Sequence, residues 1–164
     1  MIRQWLRSRM PSQDALREHR LWGLFGERLL APDYWSYNRQ SVAVAMAAGL
    51  FAAWLPLPLH SLVAIALAIW LRGYLPLAIA MVWVNNPLTI APMFYLAYQL
   101  GVRLLGLPAR EFSYASLEQD FTLFIWPLLT GALLLGLASA FFGWLLTRLY
   151  WRYKIHKAWK ARQR

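Results

Sequence analysis

The chain has 164 residues, 60% hydrophobic and 15% charged, with a formal net charge of +10 and no cysteine. Apolar content above the globular norm of about 45–50%, with charge below about 25%, excludes an ordinary soluble domain and a disordered chain. Without thiols there can be no disulfide scaffold, cysteine zinc site, iron–sulfur centre or cysteine nucleophile. His19, His60 and His156 are too scattered to suggest a metal cluster, so no metal or cofactor is expected.

The charge is concentrated at the two ends. Residues 1–39 hold seven Lys/Arg and four acids, and Arg148–Arg164 hold seven Lys/Arg and no acid. Gln40–Thr147 carry three arginines (Arg72, Arg103, Arg110) against Glu111, Glu118 and Asp120, for a net charge of zero. Three uncharged runs result: Gln40–Leu71, Gly73–Val102 and Phe121–Thr147. Each exceeds the roughly 20 apolar residues that cross a bilayer. The expected class is an all-α integral membrane protein. Its parts are a basic segment at 1–39, a membrane domain at 40–147 and a basic tail at 148–164. No cleavable signal peptide is visible, since no apolar stretch of the required length follows the basic Met1–Met10.

Ser12 and Asp14 suit a helix start. Leu16, Leu21, Leu24 and Phe25 then recur at helical spacing among Arg17, Glu18, Arg20, Glu27 and Arg28. This predicts an amphipathic helix, lying in the membrane interface or packed on the protein's own cytoplasmic face. Ala31–Tyr37 reads as a turn with aromatic anchors at headgroup level. In the first apolar run, Ser41–Trp54 is helical in character, Pro56 and Pro58 break it, and helix resumes at His60 and ends near Arg72-Gly73. Each arm is short of a span of about 30 Å, which predicts a hairpin entering and leaving on one side.

The second run repeats the scheme. Leu77–Val84 forms one arm, Asn85–Pro92 the break with Pro87 and Pro92, and Met93–Leu105 the other arm. Interrupted apolar segments in corresponding positions point to a transporter-type site; kinked spanning helices are the plainer alternative. The loop at 107–120 is acidic. Phe121–Thr147 reads as a continuous span in which Gly136, Ala140 and Gly143 let another helix approach. Basic ends on the cytoplasmic side require an even number of crossings. The expected path is therefore a cytoplasm-facing hairpin at 40–72, a broken crossing at 73–106, an external loop and a returning helix.

No Ser-His-Asp or carboxylate pair is placed for catalysis, so no enzymatic activity is expected. His60 either serves a function or satisfies a backbone carbonyl freed by the break. Asn85, Asn86 and Thr89 either satisfy the backbone around Pro87 and Pro92 or present polar groups to a ligand. With no acid nearby to hold a cation, an anionic headgroup approached from Arg72 or Arg39 is the expected ligand. Arg148–Arg164 suit anionic lipid headgroups rather than nucleic acid.

Trp35, Asn38-Arg39, Ser41-Val42, Gly49-Leu50-Phe51, Pro56-Leu57-Pro58, Leu71-Arg72, Leu75-Pro76 and Asn86-Pro87-Leu88-Thr89 fall in order, followed by Pro92, Tyr95, Tyr98 and Gly101. With Arg17-Glu18 and the Trp22 region, Met10–Gly106 resembles the bacterial membrane family called domain of unknown function 2062. Leu59-His60 departs from the Gly-Gln that the family tends to carry after the second proline. Relatives that join a similar segment to a glycosyltransferase imply a lipid-linked sugar or envelope context. The resulting expectation is an inner-membrane protein that binds or translocates an anionic lipid or lipid-linked precursor. The alternative is a scaffold docking an envelope protein or a second copy of itself.

Overall fold

The computed structural model describes residues 32–56, 60–108 and 121–162, and these are helical throughout apart from short connections. A 3-10 turn at Pro32–Trp35 precedes five helices: α1 Arg39–Ala53, α2 His60–Trp70, α3 Leu75–Val82, α4 Ile90–Leu105 and α5 Phe121–Arg162. The amphipathic stretch at 12–28, Leu57–Leu59 with Pro58, and the acidic stretch Glu111–Asp120 lie outside the described residues.

The helices start and stop for local reasons. The Asn38 side-chain oxygen accepts from the N–H groups of Gln40 (2.9 Å) and Ser41 (2.8 Å), and Asn38 N–H donates to the Ser41 hydroxyl (3.1 Å). This reciprocal capping box satisfies donors that the start of α1 would leave open. Asn86 and Thr89 repeat it ahead of α4. The Asn86 oxygen accepts from Leu88 N–H (2.9 Å) and Thr89 N–H (3.2 Å), and Asn86 N–H donates to Thr89 Oγ1 (3.0 Å). In both boxes the hydroxyl donates to the carbonyl two residues before the asparagine, Ser36 for Ser41 and Val84 for Thr89. Asn38→Ala and Asn86→Ala are each expected to lower stability by about 1 kcal/mol. Thermal unfolding of the purified protein would read this loss.

Pro92 does not break a helix; it stands in the first turn of α4. The N–H groups of a first turn have no intrahelical partner, so a proline there forfeits no ladder bond. The arms of the second run are accordingly Leu75–Val82 and Ile90–Leu105, and the break between them is shorter than the sequence suggests. The third run also differs from expectation. Helix α5 does not end with the uncharged run but continues through the basic tail to Arg162, for 42 residues in all.

α2 closes with Gly73 N–H bonded to Ala68 O (2.7 Å) and Arg72 N–H to Ile69 O (3.2 Å), which places Arg72 in the left-handed region at φ 55°. That position usually falls to glycine. Here the glycine stands one residue later, where a Cβ would lie 3.1 Å from Val44 Cγ1 and 3.2 Å from Ala45 N. Close contact with α1 leaves little room for a Cβ at 73, and the arginine at 72 bears the left-handed strain, on the order of 1 kcal/mol.

Contacts between particular residues set the helix directions. Ala52 packs with Ala64 and Val82 at one end of the α1–α3 group, while Val42, Ala45, Ala68, Tyr74 and Leu75 pack together toward the other. α2 thus runs antiparallel to α1, and α3 runs parallel to it. The α3 start is tied to the α1 start by Tyr74 N–H to Ser41 O (2.9 Å). On α5, Gly136 lies against Phe51 and Trp54, Gly143 against Leu50 and Met46, and Trp151 against Tyr37 (5.8 Å between rings). α1 therefore lies antiparallel along the C-terminal half of α5. α4 lies antiparallel along the N-terminal half, with Gly101 on Pro127 and Ala97 on Gly131.

The two broken runs are not equivalent. The first folds back on itself, α1 against α2; the arms of the second pack on different partners, α3 on α1 and α2, α4 on α5. Along the long helix, α4 thus continues where α1 stops. Trp54, the residue that ends α1, packs against the cluster formed by Ala97, Tyr98, Phe124, Leu128 and Ala132 of α4 and α5. Among the described residues, Phe124–Lys157 is the one stretch long and apolar enough to cross a membrane, and only 28% of its most apolar window is buried inside the protein. Its uncovered residues, among them Trp126, Leu137, Phe142 and Leu146, call for apolar surroundings that these helices do not supply.

Candidate functional site

The break between α3 and α4 meets the end of α1. Asn85 Nδ2–H donates to the Ala53 carbonyl (2.8 Å), a bond across 32 residues of sequence. Four helix ends therefore converge: the C-termini of α1 and α3 and the N-termini of α2 and α4. The Ala53 carbonyl is one of those a helix C-terminus leaves open, and Asn85 satisfies it. The other Asn85 side-chain atom, Oδ1, is buried without a hydrogen-bond partner.

The polar residues singled out in the sequence fall into two separate groups. Asn85, Asn86, Thr89 and His60 belong to the convergence of helix ends. Asn86 and Thr89 direct their oxygens at backbone groups of their own turn. His60 opens α2, half-buried and engaged with its surroundings. Pro56 and Pro87 flank the convergence, Pro56 after α1 and Pro87 inside the Asn86–Thr89 turn. Leu88 is 87% exposed at the tip of that turn, and Trp83 is exposed beside it.

Arg39 and Arg72 stand at the opposite end of α1–α3, both exposed. The Tyr74–Ser41 backbone bond holds their two segments together. Along α5 the two groups are separated by the fifteen residues between Gly136 and Trp151, about 22 Å at 1.5 Å per residue. Of the small residues named on α5, Gly136 and Gly143 are buried under α1, and Ala140 is half-buried.

The Arg39–Arg72 end also holds an aromatic cluster that sequence reasoning missed. Tyr37 meets Tyr74 edge-on (ring centroids 5.6 Å) and Trp151 at a tilt (5.8 Å). Spacing gives no hint of a cluster formed by residues 37, 74 and 151, because three distant segments supply it. One cation touches it, Lys154 over the Trp151 ring (5.8 Å); two turns earlier on α5, Arg148 lies over the Trp144 ring (4.8 Å). Among the described residues no group of three or more His, Cys, Asp or Glu side chains is placed to hold a metal ion.

Residues 23–160 match the model of a family described as an uncharacterized protein conserved in bacteria, DUF2062. The chain belongs to this family. The match extends beyond Met10–Gly106, where the resemblance is read in the sequence, and takes in all of α1–α4 and α5 as far as Lys160. No curated protein and no solved structure matches the chain. The family's extent thus coincides with the helical body, the convergence of helix ends and the basic aromatic end alike.

Proposed function

We propose that the protein is a multi-pass component of the bacterial inner membrane that binds, and carries part-way across, an anionic lipid or lipid-linked envelope precursor. Both ends of the chain lie in the cytoplasm. The observation that carries this reading is the depth at which the four helix ends meet. The convergence lies level with Gly136, eleven residues before Thr147 and fifteen after Phe121, or about 17 Å and 22 Å from the ends of the uncharged run of α5. That is close to the middle of a hydrocarbon core of about 30 Å. Irregular backbone at membrane depth is tolerated only where protein or a polar cavity surrounds it, and transporters place their sites at such breaks.

The helix directions support the same path. α1 rises from the basic end to mid-depth, α2 returns, α3 rises again, α4 completes the crossing and α5 comes back through its full thickness. The short arms then need no span of their own. A second reading, a scaffold that docks an envelope enzyme or complex, draws support from the helical continuation of α5 beyond Trp151, which leaves Tyr153 and Trp159 exposed. It predicts sensitivity to changes in the tail and tolerance at Arg39 and Arg72.

Single cysteines test the path, since the chain has none of its own. With a membrane-impermeant maleimide, Gln163→Cys is expected to react in inverted vesicles only and Ser116→Cys in intact cells only. Leu57→Cys is expected to stay unlabelled from outside. Its labelling in intact cells would mean that the first run crosses the membrane, and the mid-depth convergence would be lost with it.

A further inference from the structure

We infer that Arg72 is the phosphate-gripping residue of a lipid headgroup site built on the Tyr37–Tyr74–Trp151 cluster, an assignment that rests on the lipid-binding reading above. Arg72 occupies a left-handed backbone position, φ 55°, that an adjacent glycine would fill without strain in most helix ends. At 73 a side chain would crowd α1, since a Cβ there would already lie 3.1 Å from Val44 Cγ1 and 3.2 Å from Ala45 N. An arginine gains nothing from this backbone position, which glycine fills without strain and asparagine with less. An exposed arginine is therefore held where the backbone disfavours it, and strain of this kind directs attention to what the side chain does.

What surrounds Arg72 is suited to a phosphate at a membrane surface. Tyr74, two residues on, is 4% exposed and packs edge-on against Tyr37, which touches Trp151. Each ring is within three residues of a cation: Arg39 for Tyr37, Arg72 for Tyr74, and Arg148, Arg152 and Lys154 for Trp151. Arg148 and Lys154 already lie over tryptophan rings, whereas Arg39 and Arg72 are exposed on the α1–α3 side. Aromatic side chains belong at headgroup depth, and a guanidinium can hold two phosphate oxygens in one plane. The ligand is an anionic phosphodiester headgroup, with Arg72 as its paired donor and Arg39 as a second charge. The distal tail makes a poorer headgroup site: Lys160 lies nine residues beyond Trp151 on a continuous helix, about 14 Å farther out, more than a Debye length of about 8 Å.

The test uses the purified full chain in detergent, titrated with phosphatidylglycerol, phosphatidylcholine or inorganic phosphate and read by native mass spectrometry alongside thermal unfolding. The unaltered chain is expected to retain phosphatidylglycerol over phosphatidylcholine and to ignore inorganic phosphate. In Arg72→Gly the unfolding midpoint should rise by about 2–4 °C, while phosphatidylglycerol retention falls about tenfold. Arg72→Lys should keep the charge and part of the retention while remaining strained. A merely structural arginine would give the rise in midpoint with retention intact, which overturns this assignment and leaves the lipid-binding reading standing. Absence of any preference for phosphatidylglycerol in the unaltered chain overturns that reading itself. Equal retention of inorganic phosphate would reassign the site to a soluble anion, and a lowered midpoint in Arg72→Gly would remove the strain premise.

Discussion

Gly131→Val is expected to abolish the folded protein, costing at least about 4 kcal/mol. α4 and α5 meet backbone to backbone: a Cβ at Gly131 would overlap the Ala97 carbonyl, and one at Gly101 would overlap the carbonyl of Pro127. Neither obstacle is the end of a flexible side chain, so relief requires the two helices to separate over their whole contact. Within a membrane this is the most damaging kind of change, because close approach of small residues supplies the packing that draws helices together there. Pro127 adds to the effect. The proline leaves the carbonyl four residues before it without its usual helical donor, a break in the ladder at which helices commonly bend. Gly101→Ala is expected to fail as well. Gly106→Ala meets nothing within 4 Å and, at φ 63°, should lose only about 1 kcal/mol. The amount of monodisperse protein extracted from membranes, followed by thermal unfolding, would separate the three. A folded Gly131→Val of unchanged midpoint would contradict the α4–α5 contact.

Asn85→Asp should have the second largest effect. The amide donates to the Ala53 carbonyl and keeps its oxygen buried. A carboxylate has no donor for that carbonyl, and it would put a charge where the shielded Oδ1 now sits on a half-buried residue; an uncompensated charge of this kind costs up to about 3 kcal/mol. Asn85→Ala also leaves the carbonyl unpaired, but it removes the unsatisfied oxygen too, so its loss should be about 1–3 kcal/mol. Thermal unfolding of both variants would check this. A loss in Asn85→Asp no larger than that in Asn85→Ala would mean that the Asn85 oxygen is not shielded at the convergence.

If these losses have the predicted sizes, Asn85 is what ties the break before α4 to the end of α1. Asn86 and Thr89 looked equally suited to either role in the sequence. The structure turns their oxygens toward their own backbone, in the same box that Asn38 and Ser41 form ahead of α1. The first copy caps α1 and the second closes the turn that leads into α4, which spacing alone does not reveal.

Charge counting alone marked an apolar centre between basic ends, and proline positions alone marked the interruption after Trp54. These features were legible because they depend on residue type and on chain-local geometry. Pro92 was misplaced as a break for a local reason too: a proline opening a helix and a proline ending one look alike until the first hydrogen bond is seen. Membership of the family followed from the order of landmarks, and the match to residues 23–160 bears it out. The tertiary structure decided which helix lies on which. It divided Arg39 and Arg72 from the asparagines, brought Tyr37, Tyr74 and Trp151 together, and placed the tightest packing at Gly101 and Gly131. Such arrangements depend on which apolar faces find each other. In a chain that is apolar nearly everywhere, hydrophobic periodicity cannot single out a face, and only the size of the residues at each crossing does.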